Sequence, residues 1–368
     1  MHLTVLQENL LKALTHANRA IANRPQLPVL SHLLLTTSQG RLQISATNLE
    51  IGLSLWLGVK IEKTGALTLP ARLFTEFIAS LPPGSVELLA DHASLTATSG
   101  PHRATFSGLS ASEFPPIPTA KNSPDFTLTF AQLQPLVTEV AFATATDDTR
   151  PVLTGLLLRS INRRLQAVAT DGYRLSLKDL GPSSLSLPDK GLLLPSRALL
   201  EAVRIFTSKT DRKITLSLDS NQLIFAGDEA EIVSRLLDGS FPDFEKIIPQ
   251  TQTTTITLDR EELLRAVRLA AVFAHDSANI VKFSIRRSHL TISSTTQQIG
   301  NSRSTLDARV VGENHQIAFN ARYLLDFLNS TSAEEVTLAT TTPLAPGVFR
   351  PVGDTSYLHL IMPVRVQE

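Results

Sequence analysis

An internal repeat of about 125 residues is the feature that most constrains how this chain can fold. Three similar segments carry an arginine at the same place, Arg72, Arg197 and Arg322, so successive copies lie 125 residues apart. A second set of segments, SATNLEIGLSL, VATDGYRLSLK and ISSTTQQIGNS, keeps nearly the same period. Agreement between independent sets of segments predicts three homologous domains. We place them at residues 1–122, 123–250 and 251–368.

Each domain is predicted to contain the same smaller unit twice. In the first domain, apolar residues recur at a 3.6-residue period over 8–22, and a second helix is predicted over 71–81, where Pro82-Pro83-Gly84 ends it. Strand-like runs follow each helix, at 29–37, 41–47 and 50–58 and again at 86–90, 94–98 and 102–107. The sequence therefore predicts an α+β fold built from duplicated β-α-β-β-β units.

Composition excludes several classes of protein. The 368 residues include no cysteine, which removes disulfides, thiol catalysis and thiolate metal sites. Lys and Arg number 34 and so do Asp and Glu, so any contact with nucleic acid must depend on local charge placement. The sequence shows neither a secretory leader pattern nor an apolar run long enough to span a membrane. We expect a soluble, cytoplasmic protein without a membrane partner.

A search for catalytic chemistry finds little. The sequence lacks phosphate-binding glycine loops, a hydrolase nucleophile elbow and histidines at metal-ligand spacing, and it predicts no cofactor and no metal site. His275-Asp276 is interpreted as a surface or capping pair. Asp147 and Asp148, with Asp171, leave open a metal-dependent nuclease, which Asp147→Ala would inactivate. The sequence favours a non-catalytic protein.

Basic residues recur on the predicted helices. Arg72, Arg197 and Arg322 each have an acidic residue four positions later, which predicts ion pairs within a helix. Other basic residues have no such partner and could face phosphates instead. They are Arg19, Arg24, Arg265 and Arg268.

Several strings together resemble the beta sliding clamp family, the processivity subunits of bacterial DNA polymerase III, over essentially the whole chain. They are NRPQLPVLSHLLL, the LPAR helix start, TRPVLTGLLL, VATDGYRLSL, FPDFEKIIP and YLHLIMPVRV. The resemblance implies three processivity-fold domains in tandem, forming half of a six-domain homodimeric ring around duplex DNA. It also implies a chain that tethers the replicative polymerase alpha subunit and performs no chemistry. Further implied partners are the clamp-loader ATPase complex and other polymerases and repair proteins.

The resemblance also implies site residues. Arg24 and Arg150 would lie near DNA, and the basic helix residues Lys12, Arg19, Arg265 and Arg268 complete the set predicted to face it. A pocket for short clamp-binding peptides would use Leu153, Thr170, Gly172, Tyr173, Arg174, Leu175, Pro242, Lys246, Ile247, Met362, Pro363, Val364, Arg365 and Val366. In this pocket Arg174 and the backbone would fix the direction of the peptide.

Ring closure would join the first domain of one chain to the third domain of its partner. Candidate interface residues are Ile78, Phe106, Val272 and Phe273. One alternative stays open, a scaffold of the same fold that binds protein partners without encircling DNA.

Overall fold

The structure is a computed structural model that describes residues 1–22, 25, 27–121, 123–147, 149–183, 187–206, 213–274, 278–296 and 300–365. The chain forms two compact units. One comprises Met1–Leu133 and Leu200–Leu236, and the other comprises Gln134–Leu199 and Leu237–Glu368. Five side chains with a predicted role lie outside the described residues, so their roles stay predictions. They are Arg24, Asp148, His275, Asp276 and Val366.

The described α-helices occur in pairs, two in each third of the sequence. They are α1 (Gln7–Ala17), α2 (Ala71–Ser80), α3 (Phe130–Pro135), α4 (Ser196–Ile205), α5 (Arg260–Ala274) and α6 (Ala321–Ser330). A π-helical turn over Leu136–Val140 continues α3. None of the described helices is long and apolar enough to span a membrane.

Two antiparallel sheets belong to the first unit. The five-stranded sheet has the order β5 (Lys60–Lys63), β1 (His2–Leu6), β7 (Ser85–Asp91), β8 (Ser94–Ser99) and β9 (His102–Ser107). The eight-stranded sheet has the order β10 (Phe126–Thr129), β15 (Lys213–Asp219), β16 (Gln222–Ala226), β17 (Ala230–Arg235), β4 (Ile51–Gly58), β3 (Arg41–Thr47), β2 (His32–Ser38) and β6 (Ala66–Pro70). The pairing of β4 with β17 joins strands from the first two thirds of the sequence into one sheet.

Two further antiparallel sheets belong to the second unit. The nine-stranded sheet has the order β14 (Leu192–Pro195), β11 (Gly155–Ile161), β12 (Arg164–Thr170), β13 (Arg174–Pro182), β26 (Tyr357–Ile361), β25 (Gly347–Pro351), β24 (Glu335–Thr340), β18 (Thr254–Asp259) and β22 (Arg309–Val311). The four-stranded sheet has the order β21 (Gly300–Asp307), β20 (His289–Thr296), β19 (Ile280–Arg286) and β23 (His315–Asn320). The pairing of β13 with β26 joins the last two thirds.

The element order confirms the predicted fold class. Each third reads strand, helix and three strands, then strand, helix and three strands, with β5 and β22 as short additions. The first helix is shorter than predicted, since α1 ends at Ala17 and a 3-10 turn follows over Asn18–Ala20. The strand predicted over 29–37 begins only at His32, because Pro28 starts a 3-10 turn.

Local chemistry explains where the helices begin and which face they bury. Leu10, Leu14 and Ala17 place an apolar stripe of α1 in the core, as a 3.6-residue period requires. The Asn320 side chain accepts a hydrogen bond from the Arg322 backbone N–H at the start of α6, which satisfies a donor that has no partner inside the helix. The same repeated pattern therefore builds each helix against its sheet.

Candidate functional site

A tight turn between β12 and β13 is the centre of the predicted peptide pocket. Thr170 Oγ1 donates to the Arg174 carbonyl at 2.6 Å and accepts from the Gly172 N–H at 3.0 Å. Asp171 Oδ1 accepts from the backbone N–H groups of Tyr173 and Arg174 at 2.9 and 3.0 Å. The side chains of Thr170 and Asp171 thus close the turn, which leaves Tyr173 with 62% of its surface exposed.

The backbone conformation favours glycine at position 172. Its φ is +94°, in the region that side chains rarely adopt. A Cβ there would also lie 2.8 Å from Arg150 Nη1, and Arg150 Nη2 donates to the Asp171 carbonyl at 2.8 Å. Arg150 was expected to face DNA, and in this structure its guanidinium is held against the turn of the predicted peptide pocket.

The C-terminal segment of the described chain reaches the same turn. The Met362 N–H donates to the Tyr173 carbonyl at 2.8 Å, and the Val364 N–H donates to the Ala318 carbonyl on β23, also at 2.8 Å. Met362 and Arg365 are exposed, whereas Pro363 and Val364 are half-buried. Residues 170–174 and 362–364, more than 180 positions apart, are therefore brought together by main-chain hydrogen bonds.

Arg174 has a different environment from the one expected. Only 6% of its surface is exposed, and its guanidinium donates to Asp171 Oδ2 at 3.0 Å, to Asp326 Oδ2 at 2.5 Å and to the Phe142 carbonyl at 2.7 Å. The group also lies 4.5 Å from the centre of the Tyr323 ring. Three of the five guanidinium N–H donors are therefore engaged inside the protein, and the expectation that Arg174 helps to fix the direction of a bound peptide stays a prediction.

The remaining predicted pocket residues divide into core and surface. Leu153 and Leu175 are buried, and Leu175 belongs to an apolar cluster with Phe244 of residues 241–255, the predicted linker between the second and third domains. The linker residues Pro242, Lys246 and Ile247 are exposed. Lys246 Nζ lies 2.8 Å from Asp243 Oδ2, and this contact raises the pKa of Lys246 and lowers that of Asp243. The apolar surface available to a partner comes from Tyr173, Ile247 and Met362.

The predicted DNA-facing residues differ in how they are engaged. Arg19 Nε lies 3.8 Å from Glu201 Oε2, and Arg268 donates to Asn329 Oδ1 at 3.0 Å. Within the described part of the chain, no ion pair or hydrogen bond involves the side chain of Lys12 on α1 or of Arg265 on α5.

Two of the predicted intrahelical acids are engaged by other residues. Glu201 Oε1 accepts from Arg204 at 2.6 Å, and Asp326 accepts from Arg174. Sequence spacing had assigned these carboxylates to Arg197 and Arg322. Spacing within a helix could not predict that Asp326 pairs with Arg174, because these two residues are 152 positions apart.

The candidate interface residues fall into two groups. Ile78 is fully buried, and Phe106 is 5% exposed, with its ring edge-on to Phe74 at 5.3 Å. Both side chains pack inside the first unit of the single chain, and their place at an interface stays a prediction. Val272 is 72% exposed on α5, and Phe273 packs beside Gly300 at the start of β21.

A partly buried ionic cluster that the sequence did not predict lies beside β13. Lys178 Nζ contacts Glu139 Oε2 at 2.7 Å and Asp354 Oδ2 at 2.8 Å. Burial raises the pKa of Glu139, whereas hydrogen bonds from Lys178 and Ser356 outweigh burial and lower the pKa of Asp354. No group of three or more metal-ligating side chains occurs among the described residues. The cluster pairs Glu139 and Lys178, in the middle third of the sequence, with Asp354 in the last third.

Comparison with known proteins covers the whole chain. Three family profiles match: the DNA polymerase III beta subunit N-terminal domain at residues 1–118, the central domain at 127–243 and the C-terminal domain at 245–365. The beta sliding clamps of Synechococcus elongatus and Proteus mirabilis are 30% and 31% identical, and each alignment covers 100% of both chains. The crystal structure of the Bacillus subtilis DNA polymerase sliding clamp superposes with a TM-score of 0.92 at 27% identity, again over 100% of both chains. The chain belongs to the DNA polymerase III beta subunit family, the non-catalytic sliding clamps of DNA replication.

Proposed function

We propose that two copies of this chain close into a ring around duplex DNA and tether the polymerase alpha subunit to its template. Family membership over the full length is the observation that carries this proposal. The three sequence domains, residues 1–122, 123–250 and 251–368, are proposed as the repeating bodies of the ring. The clamp-loader ATPase and other polymerases and repair proteins are the further proposed partners.

Unpaired sheet edges support ring closure. Within the described residues, β9 pairs only with β8 and β21 pairs only with β20, so each leaves one row of backbone groups free. Such an edge is a template for a strand of another chain. Pairing β9 of one subunit with β21 of its partner would place Val272 and Phe273 near the contact. Two such contacts would complete the rotation and close the assembly.

Charge placement supports sequence-independent binding of DNA. The chain has no net charge, yet Lys12 and Arg265 are exposed on helices with no ion-pair partner among the described residues. Scattered cations hold phosphates without reading bases, and their contribution weakens as salt rises. Retention would then depend on the closed ring more than on affinity.

The turn at Tyr173 and the segment at Met362 support the peptide pocket. Their exposed apolar side chains are suited to a short peptide with one apolar anchor. Arg174 supports this surface through its contact with Asp171 in the turn.

Two measurements test the ring. Light scattering should give twice 40.0 kDa, the mass of a dimer. A ring loaded onto nicked circular DNA should stay bound in high salt and be released when the circle is cut by a restriction enzyme. A monomer, or equal retention on circular and linear DNA, would contradict the proposal.

The peptide pocket is tested by fluorescence anisotropy with a labelled clamp-binding peptide from the polymerase alpha subunit. The double variant Met362→Ala, Arg365→Ala should lose binding at least about tenfold, as expected for removal of an interface anchor. Val311→Ala, a 75% exposed apolar residue on β22, is the matched control and should bind normally. Full affinity in the double variant would remove this pocket assignment.

A further inference from the structure

The two strand pairings that join the thirds of the chain repeat each other closely. We call β4 with β17 the first seam and β13 with β26 the second seam. Each has five residue pairs, and Leu55↔Ala230 in the first corresponds to Lys178↔Tyr357 in the second. Beyond this pair, the Trp56 N–H donates to the Glu229 carbonyl at 2.9 Å in the first seam. The equivalent hydrogen bond in the second seam runs from the Asp179 N–H to the Ser356 carbonyl at 2.8 Å.

The side chains beside the seams do not repeat. At the second seam, Lys178 contacts Glu139 and Asp354. When the equivalent segments LTVLQENLLKALTHA and FTLTFAQLQPLVTEV are aligned, His16 on α1 stands at the position of Glu139. Leu55 stands at the position in the first seam that Lys178 occupies in the second. The described residues of the first seam therefore form no equivalent ionic cluster.

A cavity of about 320 Å³ occupies the first seam instead. This volume is at the lower end of the range of small-molecule sites, about 300–1,000 Å³. Its lining comes from α1, β4, the end of α4 and the turn before β17, all within the first unit. The lining residues that concern binding are Lys12, His16, Trp56, Arg204, Asp228 and Glu229.

The helices contribute basic groups to this cavity. Lys12 has no ion pair within the described residues, and His16 Nδ1 is buried without a hydrogen-bond partner. Arg204 also lines the cavity while it donates to Glu201 at 2.6 Å. An anionic group placed here would satisfy Lys12 and could accept from the imidazole.

The other walls add an aromatic surface and acceptors. Trp56 is the only tryptophan in the chain and is partly exposed, with Leu55 and Phe206 also lining the cavity. Asp228 and Glu229 are exposed acidic residues on the turn before β17, and carboxylates accept hydrogen bonds from amino or hydroxyl groups. A ligand that matches all the walls carries an anion, a planar ring and hydrogen-bond donors.

We propose that the cavity at the first seam binds a nucleoside monophosphate, with its phosphate toward Lys12 and His16 and its base against Trp56. The sugar hydroxyl and the amino group of the base face the two carboxylates. Either a free nucleotide or one unpaired nucleotide of a DNA strand carries this chemistry. The site lies within one unit and does not require ring closure.

The lone tryptophan provides a direct readout in the full-length protein. Titration with dAMP should quench Trp56 fluorescence to saturation, and calorimetry should give the same affinity. Deoxyadenosine, which lacks the phosphate, should bind at least about tenfold more weakly, the loss expected for one charge-assisted hydrogen bond. A short oligo-dA strand distinguishes the sources: quenching of Trp56 at lower concentration than with dAMP, lost when His16→Glu and Leu55→Lys fill the cavity, assigns the site to DNA. Weaker quenching than with dAMP assigns it to free nucleotide.

Two variants test the position of the site. Lys12→Ala should weaken dAMP binding at least about tenfold, while Lys63→Ala, an exposed lysine on β5, should leave it unchanged. The pair His16→Glu with Leu55→Lys should fill the cavity and abolish binding, with circular dichroism to check folding. Absence of saturable quenching by dAMP, equal affinity in Lys12→Ala, or binding only of an acidic aromatic dipeptide would overturn the proposal.

Discussion

Replacing Arg174 with alanine is expected to destabilise the second unit strongly. Only 6% of the Arg174 surface is exposed. Its guanidinium, on β13, donates hydrogen bonds to Asp326 on α6 and to the Phe142 carbonyl. Alanine would leave Asp171, whose side chain is only 13% exposed, without its charged partner. A buried carboxylate that loses its cation is costly.

The magnitude follows from these contacts. Three hydrogen bonds to a charged group, at about 1.5–3 kcal/mol each, would sum to about 4.5–9 kcal/mol if they were additive. They are not independent, and Asp326, whose side chain is 34% exposed, would regain water in the variant. Breaking one buried ion pair typically costs about 3–5 kcal/mol, and we expect a value in this range.

Urea unfolding followed by circular dichroism, together with hydrogen exchange of the β13 and β26 amides, measures this effect. Arg309→Ala is the matched control in the same unit, because its contact with Glu335 has side-chain exposures of 71% and 40% and should contribute less than about 1 kcal/mol. Arg174→Lys should give an intermediate loss, since an ammonium group cannot reproduce the planar fork.

One result would refute this reasoning. If Arg174→Ala unfolds like Arg309→Ala yet no longer binds the clamp-binding peptide, then Arg174 acts on the ligand itself. Destabilisation with parallel loss of exchange protection would instead identify it as a support for the turn.

Three further outcomes are expected. Burial and a nearby guanidinium hold the pKa of His359 well below 6.5, so the stability present above pH 6.5 is lost progressively as the pH falls and the unfolded chain takes up a proton. His359→Gln should remove this part of the pH dependence in urea titrations. Lys178→Met should lower the unfolding midpoint because it strands two carboxylates, whereas Lys246→Met, at an exposed ion pair, should leave the midpoint unchanged. Gly155→Ala should lower the free energy of unfolding by about 1–3 kcal/mol in the same assay, because the added Cβ would lie 2.4 Å from the Leu194 carbonyl oxygen. An unchanged midpoint would show that β11 and β14 can move apart to accommodate it.

Features that depend on neighbouring residues could be predicted from the sequence. The repeat predicted the duplicated unit, and the helix over 71–81 is observed as Ala71–Ser80 because apolar spacing and Pro82 act locally. The first helix was predicted too long, since the same spacing continues through the 3-10 turn after Ala17. Motif resemblance led to the family, which the full-length comparisons confirm.

Only the tertiary structure decided which side chains are available at the surface. Arg174 carries no local sign of burial, because its ionic partner Asp326 lies 152 positions away in the sequence. The two seams show the same limit, since equivalent strands are flanked by an ionic cluster in one and a cavity in the other. Periodicity and turn chemistry act over a few residues and determine the elements. Packing, charge pairing and cavities arise between distant elements, so they exist only once the chain has folded.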